Sequence, residues 1–148
     1  MKPKWIGLDV GTRRIGVAVS DALGFSAHPL CTIERRGTGA DVAEVCRRAE
    51  GEQAAGIVVG LPVNMNGTAG PQAEMVMAFV DELRAATPLP VETWDERLST
   101  SAVERVLIEG NVSRRKRKEV VDKLAASYIL QGFMDSRGVK GEAEGAEP

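Results

Sequence analysis

The chain has 148 residues, 43% hydrophobic and 27% charged, the composition of one ordinary globular domain, which excludes two full-sized domains and a bilobal enzyme design. A chain of this length buries roughly 70% of its unfolded surface, enough for a core without disulfide or metal staples. Nineteen basic and 21 acidic residues leave a formal charge of −2, and no apolar run approaches the roughly 20 residues of a membrane span.

Trp5 to Val10 and Ile15 to Val19 are short β-rich runs joined through the turn-prone Gly11-Thr12, which predicts a hairpin. A third extended run, Ala27 to Ile33, follows a turn signal at Leu23-Gly24, so the first third reads as an antiparallel meander. The period then changes. Asp41 is positioned to cap a helix in which Val42, Val45, Cys46 and Ala49 recur at helical spacing, ending near Gly51. Ile57 to Leu61 is a continuous apolar run, as a central strand covered on both faces requires. After a loop rich in Asn, Gly and Pro, from Pro62 to Gly70, Pro71 opens a second helix with the stripe Val76, Phe79, Val80 and Leu83. Val91 to Asp95 reads as a strand. Ser101-Ala-Val-Glu104 matches a capping box for a short helix ending at Gly110, and Ser113 is positioned to cap a last helix with Val121, Leu124, Ala125 and Tyr128 on one face.

The order βββ-α-β-α-β-α-α predicts an α/β fold with a mixed five-stranded sheet, three antiparallel strands followed by parallel ones, and helices on both faces. Residues 1–138 are expected to form this one domain. Residues 139–148 are expected to be a disordered acidic tail, because Lys140 to Pro148 hold three glutamates and little that packs. The start, Met1 to Asp9, has an acid where a signal peptide needs an apolar stretch, so the expected compartment is the cytoplasm, with no membrane partner. Cys31 and Cys46, with one histidine in the chain, are too few soft ligands for a zinc site and read as reduced thiols. His28 reads as satisfying a local hydrogen bond, and Trp94 as a core residue.

Three acids stand where a fold alone has no use for them. Asp9 lies inside an apolar strand, where a carboxylate costs several kcal/mol to desolvate unless something compensates it. Asp95-Glu96 closes the strand that begins at Val91, and Asp122 is followed one turn on by the small Ala125 and Ala126. In open α/β sheets ligands bind outside the carboxyl ends of strands, where Asp9 and the Asp95-Glu96 pair both lie if their strands are adjacent and parallel. Converging carboxylates are compensated by one or two hard divalent cations, Mg²⁺ or Mn²⁺, which about 4 Å apart would stabilise both oxygens of a phosphodiester displacement. The alternative is that Asp9 orders the turn at Gly11, Glu96 pairs with Arg97, and Asp122 pairs with Lys118 or Lys123. Asp9-Val-Gly-Thr12 also matches the phosphate-contacting hairpin of sugar kinases and actin-like ATPases. Those enzymes close nucleotide between two such domains, and this chain has length for one.

Taken together, Gly7-Leu-Asp-Val-Gly-Thr-Arg-Arg-Ile-Gly-Val-Ala-Val-Ser-Asp21, Val59-Gly-Leu-Pro-Val-Asn-Met-Asn-Gly-Thr68, Asp95-Glu-Arg-Leu-Ser-Thr100 and Val121-Asp-Lys-Leu-Ala-Ala126 resemble the YqgF family of Holliday-junction resolvases, also described as nucleases that process the precursor of small-subunit ribosomal RNA. The resemblance runs up to about Arg137 and implies a ribonuclease-H-like fold. It also implies that Asp9, Glu96 and Asp122 are the catalytic, metal-binding carboxylates, with Asp95 as the alternative to Glu96. Alternation along a strand puts Asp95 and Glu96 on opposite faces, so one of them reaches the metal. Asn66 stands where the family pattern has Asp.

Positive charge is clustered at Arg13-Arg14, Arg35-Arg36, Arg47-Arg48 and Arg114-Arg115-Lys116-Arg117-Lys118. The last run sits at a predicted helix start, where like charges repel each other and oppose the helix dipole, so phosphate binding explains it better than local stability. The expected nucleic-acid contacts are Arg13, Arg14, Asn64, Asn66, Thr68, Arg97, Arg114, Arg115, Lys116, Arg117 and Lys118. The sequence thus reads as a Mg²⁺- or Mn²⁺-dependent nuclease acting on structured RNA, including a small-subunit ribosomal precursor, or on branched DNA. A junction resolvase would be a homodimer, whereas an RNA-maturation nuclease can be a monomer. The rival from another class is a non-catalytic RNA-binding ribosome-assembly factor on the same fold.

Overall fold

The computed structural model describes residues 3–24, 26–62, 70–95 and 124–137. Seven elements with defined ends follow one another: β1 (Lys4–Val10), β2 (Arg14–Ser20), β3 (Ala27–Glu34), α1 (Thr38–Gly51), β4 (Ala54–Leu61), α2 (Pro71–Ala86) and β5 (Val91–Asp95). Residues 124–137 are helical and are called α3. The sheet order is β3-β2-β1-β4-β5, with β1, β2 and β3 antiparallel and β4 and β5 parallel to β1. This is the mixed sheet that the sequence predicts. The capping box at Ser101, the cap at Ser113 and the tail at 139–148 lie outside the described residues.

Strand alternation divides β1 between two faces. Ile6, Leu8 and Val10 enter the larger core with Val45 and Ala49 of α1, Phe79, Val80 and Leu83 of α2, and Ile57 and Val59 of β4. Val58 of β4 joins the smaller core on the other face, with Ala18 and with Ala126, Ile129, Leu130 and Phe133 of α3. The uninterrupted apolar run of β4 is therefore explained by helices on both of its sides.

One expectation is corrected. α1 starts at Thr38 with Gly37 as its N-cap, not at Asp41. The Asp41 carboxylate instead accepts the backbone N–H groups of Arg36 and Gly37 and the guanidinium of Arg35. The condition attached to Asp9 and the Asp95-Glu96 pair is met in part: β1 and β5 are parallel, with β4 between them. Local pattern specifies strands but not their order across the sheet. Among the described residues no helix is long and apolar enough to cross a membrane, and both cysteines are free thiols.

Candidate functional site

Asp9 is the last but one residue of β1, the central strand. It pairs with Gly16 of β2, and Gly16 pairs in turn with Thr32 of β3. On the other side, Leu8 pairs with Val59, so Gly60 is the next residue of β4, and Gly60 pairs with Trp94. A row Thr32, Gly16, Asp9, Gly60, Trp94 therefore crosses the sheet at one level. The residues beside Asp9 on the two neighbouring strands are thus glycines, which carry no side chain. Asp9 is half-buried and engaged with neighbouring groups.

The packing of α3 shows which face this is. Phe133 packs on Trp5 with ring centroids 4.9 Å apart and meets Trp94 edge-on at 6.4 Å. Further toward the amino end of α3, Leu130 and Ala126 press on Gly7, where a Cβ would lie 2.7 Å from the Leu130 Cβ and 2.9 Å from the Ala126 carbonyl oxygen. From Trp5 to Gly7 the touching residues thus walk backwards along α3, and the helix runs antiparallel to β1. Asp9 shares its face with Trp5 and Gly7, the face that α3 covers. Trp94 faces the same way, so Asp95, exposed at the end of β5, belongs to the opposite face. Among the described residues no group of three or more His, Cys, Asp or Glu side chains converges. Glu96 and Asp122 lie outside the described residues, as do Asn64, Asn66, Thr68, Arg97 and the run Arg114 to Lys118.

The turn after Asp9 is tight. The Gly11 N–H donates to the Arg14 carbonyl oxygen at 2.8 Å, and a Cβ on Gly11 would approach that oxygen to 2.9 Å. Arg13 is exposed at the tip of this turn, while Arg14 is half-buried opposite Glu34 and has a partner.

Of the two other arginine pairs, Arg47, Arg48 and Arg35 are engaged within the fold, while Arg36 is exposed. Arg47 and Arg48 both pair with Glu44 of α1, which is held below its usual carboxylate range chiefly by the Arg47 hydrogen bond. Arg35 is internal, with its side chain 15% exposed. Its Nε donates to Asp41 at 2.7 Å and one terminal nitrogen donates to the Gly11 carbonyl oxygen at 2.9 Å. Its guanidinium carbon lies 5.5 Å from the centre of the Phe79 ring. Burial of Asp41 opposes ionisation, but the hydrogen bond from Arg35 and two backbone N–H groups outweigh it and lower its pKa. Sequence reading missed this pair, although Ile33 is a core residue and Arg35 lies two positions on, the same side of an extended chain. His28 finds the expected local partner in Ser26 Oγ at 3.0 Å.

The family model described as "RuvX: Holliday junction resolvase" matches residues 3–136. The chain belongs to the RuvX family. This agrees with the resemblance carried by the four sequence motifs. Among its relatives is the "Putative pre-16S rRNA nuclease" of Moorella thermoacetica, 54% identical over 139 residues, which are 92% of this chain and 97% of that protein. A protein of the same name in Symbiobacterium thermophilum is 52% identical over 134 residues, 90% of this chain and 93% of its own. Among solved structures, the RuvX chain resembles Thermus thermophilus RuvC in complex with a Holliday junction substrate, with a TM-score of 0.60 at 16% identity over 92% of this chain and 96% of that one. That likeness establishes the ribonuclease-H-like fold.

Proposed function

We propose that this RuvX protein is a divalent-metal-dependent nuclease that hydrolyses phosphodiester bonds, with Asp9, Glu96 and Asp122 as its metal-binding carboxylates. The observation that carries the reading is Asp9 itself. It is a carboxylate at the carboxyl end of the central strand, between two glycines, on the face that α3 covers. Hard carboxylate oxygen donors suit Mg²⁺ or Mn²⁺. When bound, such ions supply Lewis acidity toward the attacking and leaving oxygens.

The other two acids are supported by position in the chain. Ala126 meets Gly7, two residues from Asp9, and Asp122 comes four residues before Ala126. Trp94 faces α3 and turns Asp95 away, which favours Glu96 of the pair. Arg13, exposed at the tip of the turn four residues after Asp9, would hold a phosphate of the substrate strand. Arg14, Arg97, the loop residues Asn64, Asn66 and Thr68, and the run Arg114 to Lys118 are proposed as further nucleic-acid contacts on sequence grounds.

A precursor of 16S ribosomal RNA is the favoured substrate, because relatives sharing about half of the sequence bear that name. A Holliday junction is the second reading, supported by the family description. The test is cleavage of a structured precursor RNA and of a four-way DNA junction with Mg²⁺ or Mn²⁺, by wild type and by Asp9→Asn. The variant should lose two or more orders of magnitude in rate while its affinity for the nucleic acid changes by no more than a few fold. Binding without metal-dependent cleavage by wild type would favour the assembly-factor reading. Full activity of Asp9→Asn would remove this residue from the site.

A further inference from the structure

Among the described residues, two hydrogen bonds reach the Gly11–Arg13 turn from outside the hairpin, and both come from Arg35. Its backbone N–H donates to the Arg13 carbonyl oxygen at 2.9 Å, and its guanidinium donates to the Gly11 carbonyl oxygen at 2.9 Å. The same guanidinium is anchored on α1, by Asp41 Oδ2 at 2.7 Å and Thr38 Oγ1 at 3.5 Å. It also touches α2, with Met75 Sδ at 3.7 Å and the face of Phe79. One side chain thus connects the turn two residues beyond Asp9 to both helices of the larger core. Asp41 is 2% exposed and orients that side chain from behind.

We infer that Arg35 is a positioning residue for the nuclease site, fixing the turn after Asp9 and through it the position of the Asp9 carboxylate. The inference rests on the reading of Asp9 as a metal-binding acid. A buried ion pair adds little stability compared with apolar residues of similar size, so stability alone does not account for a guanidinium at this place. What it supplies is geometry. The planar fork reaches a carboxylate in one direction and a carbonyl oxygen in another. A lysine ammonium keeps the charge for Asp41 but has no rigid fork to span both. Groups that orient the ligands of a metal typically change metal affinity or rate by about 10- to 100-fold when altered.

The test is Arg35→Lys, compared with Asp9→Asn and with Val45→Ala. Val45 is buried in the same core, one helical turn along α1 from Asp41, and provides a variant of lowered stability. Three quantities are read well below each melting temperature: the single-turnover rate of RNA or junction cleavage, the Kd for the same fluorescein-labelled nucleic acid without metal, and Mn²⁺ affinity by calorimetry. Arg35→Lys should lose about 10- to 100-fold in rate and about tenfold in Mn²⁺ affinity, with nucleic-acid affinity within threefold of wild type. Val45→Ala should match wild type in all three. Wild-type rate and Mn²⁺ affinity in Arg35→Lys, beside an inactive Asp9→Asn, would overturn the inference and leave the site reading intact. Losses in Val45→Ala equal to those in Arg35→Lys would also overturn it, since a general loss of stability would then explain both. An active Asp9→Asn would instead bring down the site reading on which the inference stands.

Discussion

Gly7→Ala is the substitution that most directly tests how α3 is seated beside Asp9. The new Cβ would lie 2.7 Å from the Leu130 Cβ and 2.9 Å from the Ala126 carbonyl oxygen. Carbon atoms in ordinary contact are about 3.5–4.0 Å apart, so α3 must retreat by roughly 1 Å. Neither opposing atom can swing aside by a rotamer change. Leu130→Ala would not rescue the variant, because alanine keeps the offending Cβ. Overpacking of this kind costs about 1–3 kcal/mol, which for a domain of this size lowers Tm by roughly 3–10 °C. The rate should fall further than stability suggests, since a 1 Å misplacement at a reacting centre can cost about 100-fold. Thermal denaturation and single-turnover cleavage measure the two effects. Gly39→Ala is the control: it lies in α1 with nothing within 4 Å of a new Cβ, and should raise stability by up to about 1 kcal/mol without changing the rate. A Gly7→Ala variant with wild-type Tm and rate would refute the close seating of α3 on β1.

Three further outcomes are expected. Glu96→Gln should abolish cleavage and Asp95→Asn should reduce it mildly, because Trp94 turns Asp95 away from the face of Asp9; equal, mild losses in both would make the pair structural. Replacing Arg115 and Arg117 by Ala should weaken nucleic-acid binding alike for all sequences and reduce the slope of log K against log[salt] by about 0.9 for each duplex-DNA phosphate that is no longer neutralised; an unchanged slope in fluorescence anisotropy assigns the run to a solvated face. The Asp41 pKa is lower in the folded protein than in the unfolded chain, so its contribution is full above the unfolded value of about 3.9 and fades as pH falls through the folded one. Asp41→Asn should therefore be destabilising at pH 7 and less so at pH 3 by urea denaturation, and a cost that does not fall with pH would disprove the ionised pair.

What the sequence made legible was whatever local pattern encodes. The hairpin about Gly11, the run of β4 and the proline start of α2 are each written in neighbouring residues, and the structure has all three. The place of β4 between β1 and β5 is not local, because either order satisfies the same alternation. Asp41 has the sequence appearance of a cap, yet its oxygens are taken by Arg35 and by the backbone before α1. The Arg35-Arg36 doublet hid a division of labour, with one arginine facing the core and the other exposed. Of the candidate acids, Asp9 was legible because an acid inside an apolar strand is out of place. Its glycine neighbours were not, because Gly16 and Gly60 meet it only through strand pairing.

The dependence on pairing explains why both ends of β1 are pinned. The strand serves two faces: Ile6, Leu8 and Val10 supply the larger core, while Trp5, Gly7 and Asp9 face α3. A slip of one residue would exchange these sets and drive the carboxylate into the apolar core. At the start of the strand the Trp5 N–H donates to Ser20 Oγ at 2.8 Å, and the Trp5 ring fills the place where any side chain at position 56 would stand. At the other end the Gly11 bond to Arg14 closes the hairpin, and Arg35 ties that turn to α1 and α2. Core packing alone penalises a slip through reduced apolar burial, but it holds the polar face only indirectly. The two end restraints act on the backbone itself, and so fix where a carboxylate that contributes nothing to the apolar core must stand.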